Sequence, residues 1–382
     1  MAQTQIRILH ALGTLNPGGV ETWLMHVLRN IDHSRFQMDF CTFGSEPGMY
    51  AAEVEKCGSK VLRCPKGANL WSFGHRFRRI LRDGKYDMVH SHVYSFSGAV
   101  LRWAKAQSVP IRIAHSHGTN DGRSDVPTRS AYRSLMRSWI DRYATHGLAA
   151  SRSAAAALFG KNWERDDRFR VLHCAIDLRP FQEQVDRRTV RRELGIPLDA
   201  PVVGHVGRFD QGKNHRFLLE IAAEVHKLRP ETQFLLVGDG PLRLATENLA
   251  KSLGISGQVH FLGVRTDVPR LMCGAMDAFL FPSLWEGLPV TLIEAQAAGL
   301  RCLVSDTCPA EASILSGQFV RLSLSKPSEE WAANTIESLE RGKTGGDIPV
   351  RTIGQTDFSI HRCASTLSDL YESAGREWLH AA

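Results

Sequence analysis

Short apolar runs alternate with amphipathic helical stretches along most of the chain, and this alternation constrains the fold more than any other feature. Strands that alternate with helices indicate βαβ units and a parallel sheet. In the first half we predict strands at residues 6–12, 38–42, 60–62, 88–91, 111–116, 147–149 and 170–173, with helices that include 20–30, 73–83 and 129–144. In the second half we predict strands at 202–206, 233–237, 259–262, 278–281 and 301–304, with helices at 215–228, 242–253 and 291–298.

The alternation stops over residues 178–200, a polar stretch that we predict to be an interdomain linker. The sequence therefore predicts an α/β protein with two Rossmann-like domains, residues 1–177 and 201–359, that face each other across a cleft. We expect a C-terminal helix at about 360–382 to pack back on the first domain. Because ligands bind at the carboxyl ends of parallel strands, both domains are expected to offer loops to the cleft.

Several classes of protein are excluded or disfavoured. No stretch reaches the roughly 18 consecutive apolar residues that a membrane-spanning helix needs. The N-terminal segment has the pattern of a first strand and not that of a signal peptide. The eight cysteines never form a Cys-x-x-Cys pair, which is typical of reduced thiols. We expect a cytoplasmic protein, located at the inner face of the cytoplasmic membrane if it binds lipid.

Positive charge is concentrated in the first half of the chain. Residues 1–174 contain 25 of the 47 Lys and Arg against 14 of the 40 Asp and Glu, a difference of +11, which leaves 22 against 26 for the rest, a difference of −4. Such an excess predicts an anionic partner. Nucleic acid, a membrane surface and a phosphorylated substrate are all compatible with it.

Two cations follow the first strand of the second half. Gly207 and Arg208 end that predicted strand, and Lys213 precedes the next helix. Glycine lets the backbone approach a ligand closely, while Arg offers a two-pronged donor and Lys a point charge, so a pyrophosphate fits here. The competing interpretation is a solvated loop with surface cations.

Two further strand ends of the second half carry weaker signals. Gly238 and Gly240 lie in a turn between a strand and a helix, where phosphate binds but which is also an ordinary strand exit. Leu262 ends the next predicted strand, where backbone groups are suited to contact a nucleobase edge. Arg265 follows three residues later, and we expect it to lie near a base bound there.

Two glutamates are separated by seven residues in the segment EGLPVTLIE. Glu286, followed by Gly287 and Leu288, lies in a loop where its carboxylate is suited to accept hydrogen bonds from sugar hydroxyls. Glu294 lies near the first turn of the next helix and is suited to hold a ribose diol, as acidic residues do in dinucleotide sites. A structural role at the positive end of the helix dipole stays an alternative.

Gly18, Gly19 and Glu21 lie between the first strand and the first helix. Two glycines at a helix N-terminus leave backbone N–H groups where a phosphate or another oxyanion can bind. The alternative is an ordinary helix start, which the carboxylate of Glu21 stabilises.

Two His-Ser-His triplets, which end in His92 and His117, follow predicted strands. Because side chains alternate along a strand, both histidines of a triplet lie on one face, which suits zinc. No cysteine or carboxylate completes a recognisable metal-binding spacing. Packing at the strand ends is therefore the competing interpretation, preferred for His90, and we expect no metal site.

The basic excess is clearest in two places. Residues 71–82 combine aromatic side chains with four arginines, and Arg129, Arg133 and Arg137 form a stripe at i, i+4 spacing. This pattern is compatible with helices that lie on anionic lipid headgroups, with aromatic side chains in the interface. A helix with an apolar core-facing side and a solvated basic side has the same pattern.

Together, the segments VGRFDQGKNH, VGDGP, FLG and EGLPVTLIE resemble family 4 of the retaining, nucleotide-sugar-dependent glycosyltransferases, which have the GT-B fold. The segment FPSLWEGLPVTLIEAQAAG is especially similar to transferases of bacterial exopolysaccharide, capsule and lipopolysaccharide assembly. The resemblance covers nearly the whole chain. It implies transfer of a hexose from a nucleoside-diphosphate sugar, UDP-sugar being favoured over GDP-mannose, to a saccharide or lipid-linked acceptor.

The resemblance also implies roles for single residues of the second half, which would hold most of the donor. Arg208 and Lys213 would neutralise the diphosphate, Glu286 would bind the donor sugar and Glu294 the ribose. With two cations present and no Asp-x-Asp motif in the sequence, we expect neither a metal nor another cofactor.

In the first half, the resemblance implies that the glycine pair contacts the donor phosphate and that His117 faces the donor sugar near the reaction centre. Glu21, His92, His115 and Arg123 are candidates for the acceptor side.

Two other functions stay open. A nucleotide-sugar 2-epimerase of the same fold would need no acceptor. A non-enzymatic nucleic-acid-binding protein would account for the basic first half, although no DNA- or RNA-binding motif appears. The glycines after the first strand do not form the Gly-x-Gly-x-x-Gly of nicotinamide oxidoreductases.

Overall fold

The structure is a computed structural model that describes residues 5–66, 69–119 and 126–381. The chain divides into two compact units. The first contains Met1–Ala175 together with Ile360–Ala382, and the second contains Ile176–Ser359. The helix predicted at about 360–382 thus belongs to the first unit, whereas residues 178–200 belong to the second unit.

The first unit is built on a parallel sheet of seven strands. In chain order the strands are β1 (Ile6–Leu12), β2 (Phe36–Thr42), β3 (Val61–Arg63), β4 (Met88–Ser91), β5 (Ile111–Ser116), β6 (His146–Ala149) and β7 (Phe169–Val171). Their order in the sheet is β3-β2-β1-β4-β5-β6-β7. The helices between them are α1 (Gly19–Asn30), α2 (Ala51–Lys56), α3 (Leu70–Gly84), α4 (Ser97–Ala106), α5 (Pro127–Tyr143) and α6 (Arg152–Phe159).

The second unit contains a parallel sheet of six strands. It begins with α7 (Arg187–Glu193) and continues through β8 (Val202–Val206), α8 (His215–Leu228), β9 (Gln233–Val237), α9 (Arg243–Ser252), β10 (Val259–Phe261), α10 (Val268–Gly274), β11 (Ala278–Phe281), α11 (Val290–Ala297), β12 (Arg301–Ser305), β13 (Phe319–Leu322), α12 (Ser328–Arg341) and α13 (Ile348–Gly354). The order in the sheet is β10-β9-β8-β11-β12-β13. The prediction of two Rossmann-like α/β units is confirmed.

The apolar runs form strands because both faces of each sheet are covered. The strands β4, β5, β8, β9 and β11 are buried at every residue. In a parallel sheet covered by helices on both faces, strands have such continuous apolar sequences. On the first sheet, Phe73 and Phe77 of α3 belong to the same buried cluster as Val89 of β4. On the second, Trp331 of α12 clusters with Phe234 of β9.

The segment that we predicted as a linker, residues 178–200, is instead packed within the second unit. Its helix α7 contributes Arg191, which is fully buried and donates hydrogen bonds to the carbonyls of Ala200 (2.7 Å) and Ala275 (3.0 Å). The same guanidinium pairs with Asp277 at 2.7 Å. Arginine is rarely fully buried unless it is paired, so a segment rich in arginine has the composition of an exposed linker.

The helix that follows the second unit, α14 (Ile360–Ala381), completes the first unit by packing against α1 and β5. Its Cys363 accepts a hydrogen bond from the indole of Trp23 at 3.5 Å, and its Tyr371 is fully buried. Glu372 forms an ion pair with Arg35. Within the described part of the chain, no helix is both long enough and apolar enough to cross a bilayer.

Candidate functional site

Each sheet has one place where the strand order reverses. In the first sheet this place lies between β1 and β4, and in the second it lies between β8 and β11. The connections that leave two such neighbouring strands run to opposite sides, which opens a crevice at the carboxyl ends of the strands, where ligands of open α/β sheets bind. Arg208, Lys213 and Glu286 follow the two strands at the reversal in the second sheet, and Gly18, Gly19 and His92 follow those at the reversal in the first.

Lys213 and Glu286 lie on the two sides of the reversal in the second sheet. Lys213 ends a 3₁₀ turn that follows β8, and its Nζ lies 2.5 Å from Oε1 of Glu286, which follows β11. The ammonium also lies 4.8 Å from the centre of the Phe281 ring. Only 20% and 10% of the two side chains are exposed. An anionic ligand can therefore reach Lys213 only by competing with Glu286 or sharing it.

Arg208 is the second cation predicted at this strand end. It follows Gly207 after β8, and its side chain is exposed. Among residues 5–66, 69–119 and 126–381, no carboxylate pairs with its guanidinium. An anion that binds at the end of β8 therefore meets an unpaired guanidinium.

The glycine turns after β8 and β9 pack backbone against backbone. Gly238 has a φ of 134°, and a Cβ atom there would lie 2.0 Å from the carbonyl oxygen of Gly207. Its N–H donates to the carbonyl of Gly263 at 2.8 Å, so three strand ends meet at this glycine. Gly240 has a φ of 159°, and a Cβ there would lie 2.5 Å from the carbonyl oxygen of Phe209. Close packing of the loops is itself a reason for glycine at both positions.

Leu262 and Arg265, the predicted base-side residues, are both engaged within the second unit. The N–H of Leu262 donates to the carbonyl of Leu236 at 3.0 Å, so it is occupied by the sheet. Arg265 forms a two-pronged ion pair with Asp267, at 2.8 and 2.7 Å, and that hydrogen-bonded carboxylate raises the pKa of the guanidinium. The guanidinium is thereby held in one orientation.

Glu294 lies at the start of the second turn of α11, close to the first turn as the sequence predicted. Gly287 and Leu288 before it are buried, and Pro289 precedes the helix as its N-cap. Glu294 is 9% exposed, and burial raises the pKa of its carboxyl group to about 7. No side chain or backbone group of the described residues donates a hydrogen bond to this carboxylate. A buried carboxylate without donors is suited to accept hydrogen bonds from ligand hydroxyls.

In the first unit, Gly18 and Gly19 occupy the N-terminus of α1 as predicted for an anion site. Gly18 is the N-cap, and a Cβ there would lie 2.5 Å from Oε2 of Glu21. The Glu21 carboxylate therefore folds back over the first turn, as the glutamate of a capping box does. A ligand phosphate at this N-terminus has to displace that carboxylate or bind beside it.

Five histidines from three neighbouring strands lie side by side at the reversal in the first sheet. His10 comes from β1, His90 and His92 from β4 and the residue after it, and His115 and His117 from the end of β5 and the loop that follows. Neighbouring ring centres lie between 4.0 Å and 5.4 Å apart. Sequence analysis identified four of the five but missed His10, which belongs to the group only because β1 and β4 are neighbours.

The histidines form two hydrogen-bonded rows. In one row the ring nitrogens of His10 and His92 lie 3.0 Å apart, and those of His92 and His117 lie 2.9 Å apart. This row ends at the Sγ of Cys174, 3.4 Å from Nδ1 of His117. In the other row, His90 lies 2.8 Å from the hydroxyl of Tyr371 and 3.1 Å from His115. We call these the His117 row and the His115 row.

All five imidazoles are held neutral. Burial lowers the pKa of His10 and His117 to about 3. Burial, and then the neighbouring histidines, lower the pKa of His90, His92 and His115 well below its ordinary value. His117 is the half-buried member of its row, and both of its ring nitrogens already have partners. A ligand oxygen that bonds to a nitrogen of His117 must replace one of them.

The basic residues of the first half differ in their roles. Arg123 lies outside the described residues. Arg137 donates hydrogen bonds to the carbonyls of Ala157 and Leu158 at the end of α6, so it has a structural role. On α3, Trp71 is 84% exposed, and Arg76, Arg79 and Arg82 are exposed as well.

Comparison with known proteins identifies similar families and folds. Residues 17–179 match the family model described as Glycosyltransferase Family 4, and residues 186–349 match that described as Glycosyl transferases group 1. The chain is 32% identical over 378 residues to the putative glycosyltransferase EpsF of Bacillus subtilis (strain 168), with 97% of each chain covered.

A second relative and a solved structure extend these similarities. The chain is 29% identical over 237 residues, 60% of each chain, to the UDP-Gal:alpha-D-GlcNAc-diphosphoundecaprenol alpha-1,3-galactosyltransferase of Escherichia coli. The crystal structure of Anabaena Alr3699/HepE in complex with UDP and glucose has the same fold, with a TM-score of 0.79 and 19% identity over 97% of this chain and 100% of that one.

Proposed function

This chain belongs to glycosyltransferase family 4 and is a glycosyltransferase, and on that premise we propose that it transfers a hexose from a UDP-sugar, with retention of configuration, to a saccharide or lipid-linked acceptor of a cell-surface polysaccharide. The E. coli relative is named for a UDP-galactose donor and a diphosphoundecaprenol acceptor. The Anabaena structure holds UDP and glucose. Both names support a UDP-sugar as donor.

The observation that carries the proposal is the cation pair at the end of β8. Arg208 is exposed and unpaired among the described residues, and Lys213 is held beside Glu286. A nucleoside diphosphate that leaves an anomeric carbon develops negative charge on its phosphate oxygens. Preorganised cations stabilise that charge without reorganising during the reaction.

The proposed reaction breaks the bond between the anomeric carbon of the donor and the diphosphate oxygen. A new bond forms from an acceptor hydroxyl oxygen to the same carbon, and the hydroxyl proton passes to the departing phosphate. Holding the acceptor hydroxyl on the face of the sugar from which the diphosphate departs lowers the barrier through positioning and retains the configuration of the anomeric carbon. Arg208 and Lys213 take up the developing charge, so we propose that no metal ion and no other cofactor takes part.

The carboxylates are assigned to the hydroxyl groups of the donor. Glu294 is buried and lacks hydrogen-bond donors among the described residues, so it would gain two from a ribose diol. Glu286 would bind hydroxyls of the transferred sugar once the diphosphate draws Lys213 towards itself. In the first unit, Gly18 and Gly19 would contact the donor phosphate, and His117 would contact the transferred sugar.

The exposed face of α3 is the proposed contact with an anionic membrane that carries the acceptor. Trp71, Arg79 and Arg82 are exposed on this helix, while Phe73 and Phe77 are buried in the core. An aromatic side chain next to exposed cations suits the interface of an anionic bilayer. Such a contact would place the protein at the inner face of the cytoplasmic membrane.

A screen of nucleotide sugars against the purified chain tests the proposal. We expect UDP-sugars to raise the thermal midpoint more than GDP-mannose does, and one of them to yield UDP together with a glycosylated acceptor. Stabilisation by GDP-mannose alone would contradict the proposed donor. Conversion of the UDP-sugar to its 2-epimer without transfer would contradict the proposed reaction.

A further inference from the structure

The His117 row links the interior of the first unit to the half-buried ring of His117. It runs from the fully buried His10 through His92 to His117 and ends at Cys174. Both ring nitrogens of His92 and Nε2 of His117 are used in these contacts between neighbouring members of the row. The orientation of the His117 ring is therefore set by its contacts with His92 and Cys174.

The contacts in the row have the geometry of hydrogen bonds. The ring nitrogens of His10, His92 and His117 lie 3.0 and 2.9 Å apart and face one another. Tetrahedral zinc, with nitrogen ligands at about 2.0–2.1 Å, would separate those nitrogens by roughly 3.3–3.4 Å. Two sets of three histidines do bring their nitrogens within 4.8 Å. The shorter spacing favours hydrogen bonds over shared metal coordination.

In a row of neutral imidazoles, all the hydrogen bonds run in the same direction. Each ring carries one N–H donor and one acceptor nitrogen, so fixing the proton on one ring fixes it on every ring of the row. At the inner end, Nε2 of His10 is buried and has no hydrogen-bond partner among the described residues. A buried N–H without a partner is rare and costly, so Nε2 is the unprotonated nitrogen of His10.

The position of the proton on His10 determines the tautomers of His92 and His117. Nδ1–H of His10 donates to Nε2 of His92, and Nδ1–H of His92 donates to Nε2 of His117. His117 then carries its own proton on Nδ1, which faces the Sγ of Cys174 at 3.4 Å. Sulfur is a weak acceptor, so this last hydrogen bond is the one that a substrate oxygen can replace most easily.

We infer that His92 is a positioning residue that, through the His117 row, fixes His117 as a hydrogen-bond donor at Nδ1 towards an oxygen atom of the substrate. The inference rests on the proposed contact between His117 and the transferred sugar. It also gives His92 a role other than the contact with the acceptor that the sequence suggested. His92 acts on the reaction only through the ring of His117.

Nitrogen NMR tests the row independently of activity. In protein with ¹⁵N-labelled histidine, the ring signals of His117, assigned by comparison with His117→Gln, are expected to show the Nδ1–H form in the wild type. In His92→Gln the side-chain amide takes the place of Nε2 and keeps the contact with His10 but not that with His117. The His117 ring is then expected to populate both tautomers instead of the Nδ1–H tautomer alone. In His92→Asn the side-chain amide takes the place of Nδ1 and keeps the contact with His117, so the Nδ1–H tautomer of His117 is expected to persist.

Kinetics of the same two variants test whether the row matters for transfer. We expect His92→Gln to lower kcat about 10- to 100-fold with the donor KM unchanged, because a misoriented His117 costs positioning. His92→Asn is expected to recover most of that loss. A role in packing alone predicts the reverse order, since Gln is closer to His in volume than Asn is.

The His115 row supplies the matched control. His90 lies two residues before His92 and is also buried, but its ring nitrogens contact Tyr371 and His115 instead of His117. The variants His90→Asn and His90→Gln are expected to differ little in kcat. Circular dichroism and thermal midpoints show whether all four variants are folded.

Three results would overturn the inference. The first is a wild-type His117 protonated on Nε2, or one whose form does not change in His92→Gln. The second is one equivalent of a transition metal in the wild type that His92→Gln loses. The third is a transfer rate equal to that of the wild type in both His92→Gln and His117→Gln. This result would refute the proposed contact with the sugar but not the hydrogen-bonded row.

Discussion

The ammonium of Lys213 and the carboxylate of Glu286, 2.5 Å apart, join the ends of the two strands between which the order of the second sheet reverses. The pair is largely buried, and the ring of Phe281 lies close to the ammonium. A ligand that carries both a diphosphate and a sugar can compensate both charges at once, since its phosphates attract Lys213 and its hydroxyls bind Glu286.

Replacing Lys213 is expected to impair transfer strongly. Lys213→Ala removes a preorganised cation, so we expect kcat to fall by about 10²- to 10³-fold and UDP binding to weaken. Steady-state kinetics and calorimetry with UDP measure the two effects. Lys227→Ala is the control, since Lys227 pairs with Glu224 on the surface of α8. Turnover by Lys213→Ala within threefold of wild type would contradict the assigned role.

Glu294→Gln is expected to stabilise the ligand-free protein and to weaken donor binding. Burial raises the pKa of this carboxyl group from 4.5 to about 7. The folded state therefore holds the proton more tightly between those pH values, and stability falls as pH rises through that window. By pH 8 the whole cost is present, at most roughly 3 kcal/mol, and Gln removes it.

Denaturant unfolding at pH 4 and pH 8 measures this effect. The gain in Glu294→Gln should appear at pH 8 and vanish at pH 4, whereas Glu340→Gln, at an exposed position on α12, should change neither. Donor affinity of Glu294→Gln should fall at least about tenfold, since a hydrogen bond to a charged group is lost. Unchanged donor affinity and turnover would refute the ribose role.

Gly238→Ala is expected to disrupt the packing of the strand ends in the second unit. A Cβ there meets the carbonyl oxygen of Gly207 at 2.0 Å, and the φ of 134° is unfavourable for any other residue. We expect a loss of at least about 2 kcal/mol in the free energy of unfolding. Gly257→Ala is the control, because nothing lies within 4 Å of its Cβ position. Equal thermal midpoints for the two variants would contradict this packing.

Transfer is expected to continue in the presence of a chelator. The charge of the departing diphosphate is assigned to Arg208 and Lys213, so EDTA should leave the initial rate unchanged. The assay compares chelated enzyme with the same enzyme after addition of Mg²⁺ or Mn²⁺. Complete loss of activity that either ion restores would overturn the proposal that no metal takes part.

The exposed face of α3 is expected to bind anionic vesicles. The triple variant Trp71→Ala, Arg79→Ala, Arg82→Ala should bind vesicles of phosphatidylcholine with roughly one-third phosphatidylglycerol about tenfold more weakly than wild type, since each Arg contributes about 1 kcal/mol at such a surface. Asp83, 3.4 Å from Arg79 and 3.5 Å from Arg82, limits the effect.

Sedimentation with vesicles at physiological salt measures this binding. Arg216→Ala on α8 is the control, since Arg216 is exposed and lies in the second unit. If the wild type does not bind anionic vesicles, the arginines of α3 form a solvated face without a role in membrane binding.

The fold was largely predictable because parallel strands covered on both faces must be apolar throughout. The predicted bounds of β1, β4, β5, β8, β9 and β11 agree with the structure. The edge strand β13 was missed, since it is only partly buried and Arg321 interrupts its apolar residues. Residues 178–200 were misassigned, since composition cannot show that Arg191 finds carbonyl and carboxylate partners far along the chain.

The candidate residues were predictable one by one, but their contacts were not. The loops that carry Lys213 and Glu286 could be placed at strand ends, yet their contact depends on β8 and β11 being neighbours. His10 was missed for the same reason. Its ring belongs to the His117 row only because β1 pairs with β4, and no spacing within one segment indicates that.

The packing of α14 bears on the order in which the chain folds during synthesis. Its Tyr371 reaches His90 in the interior of the first unit, and its Cys363 meets Trp23, yet all of residues 176–359 lie between these partners in the chain. The second unit is continuous and has all of its strands once residue 322 has left the ribosome. Although the first unit is translated first, its buried His90 can contact Tyr371 only after the second unit has been synthesised.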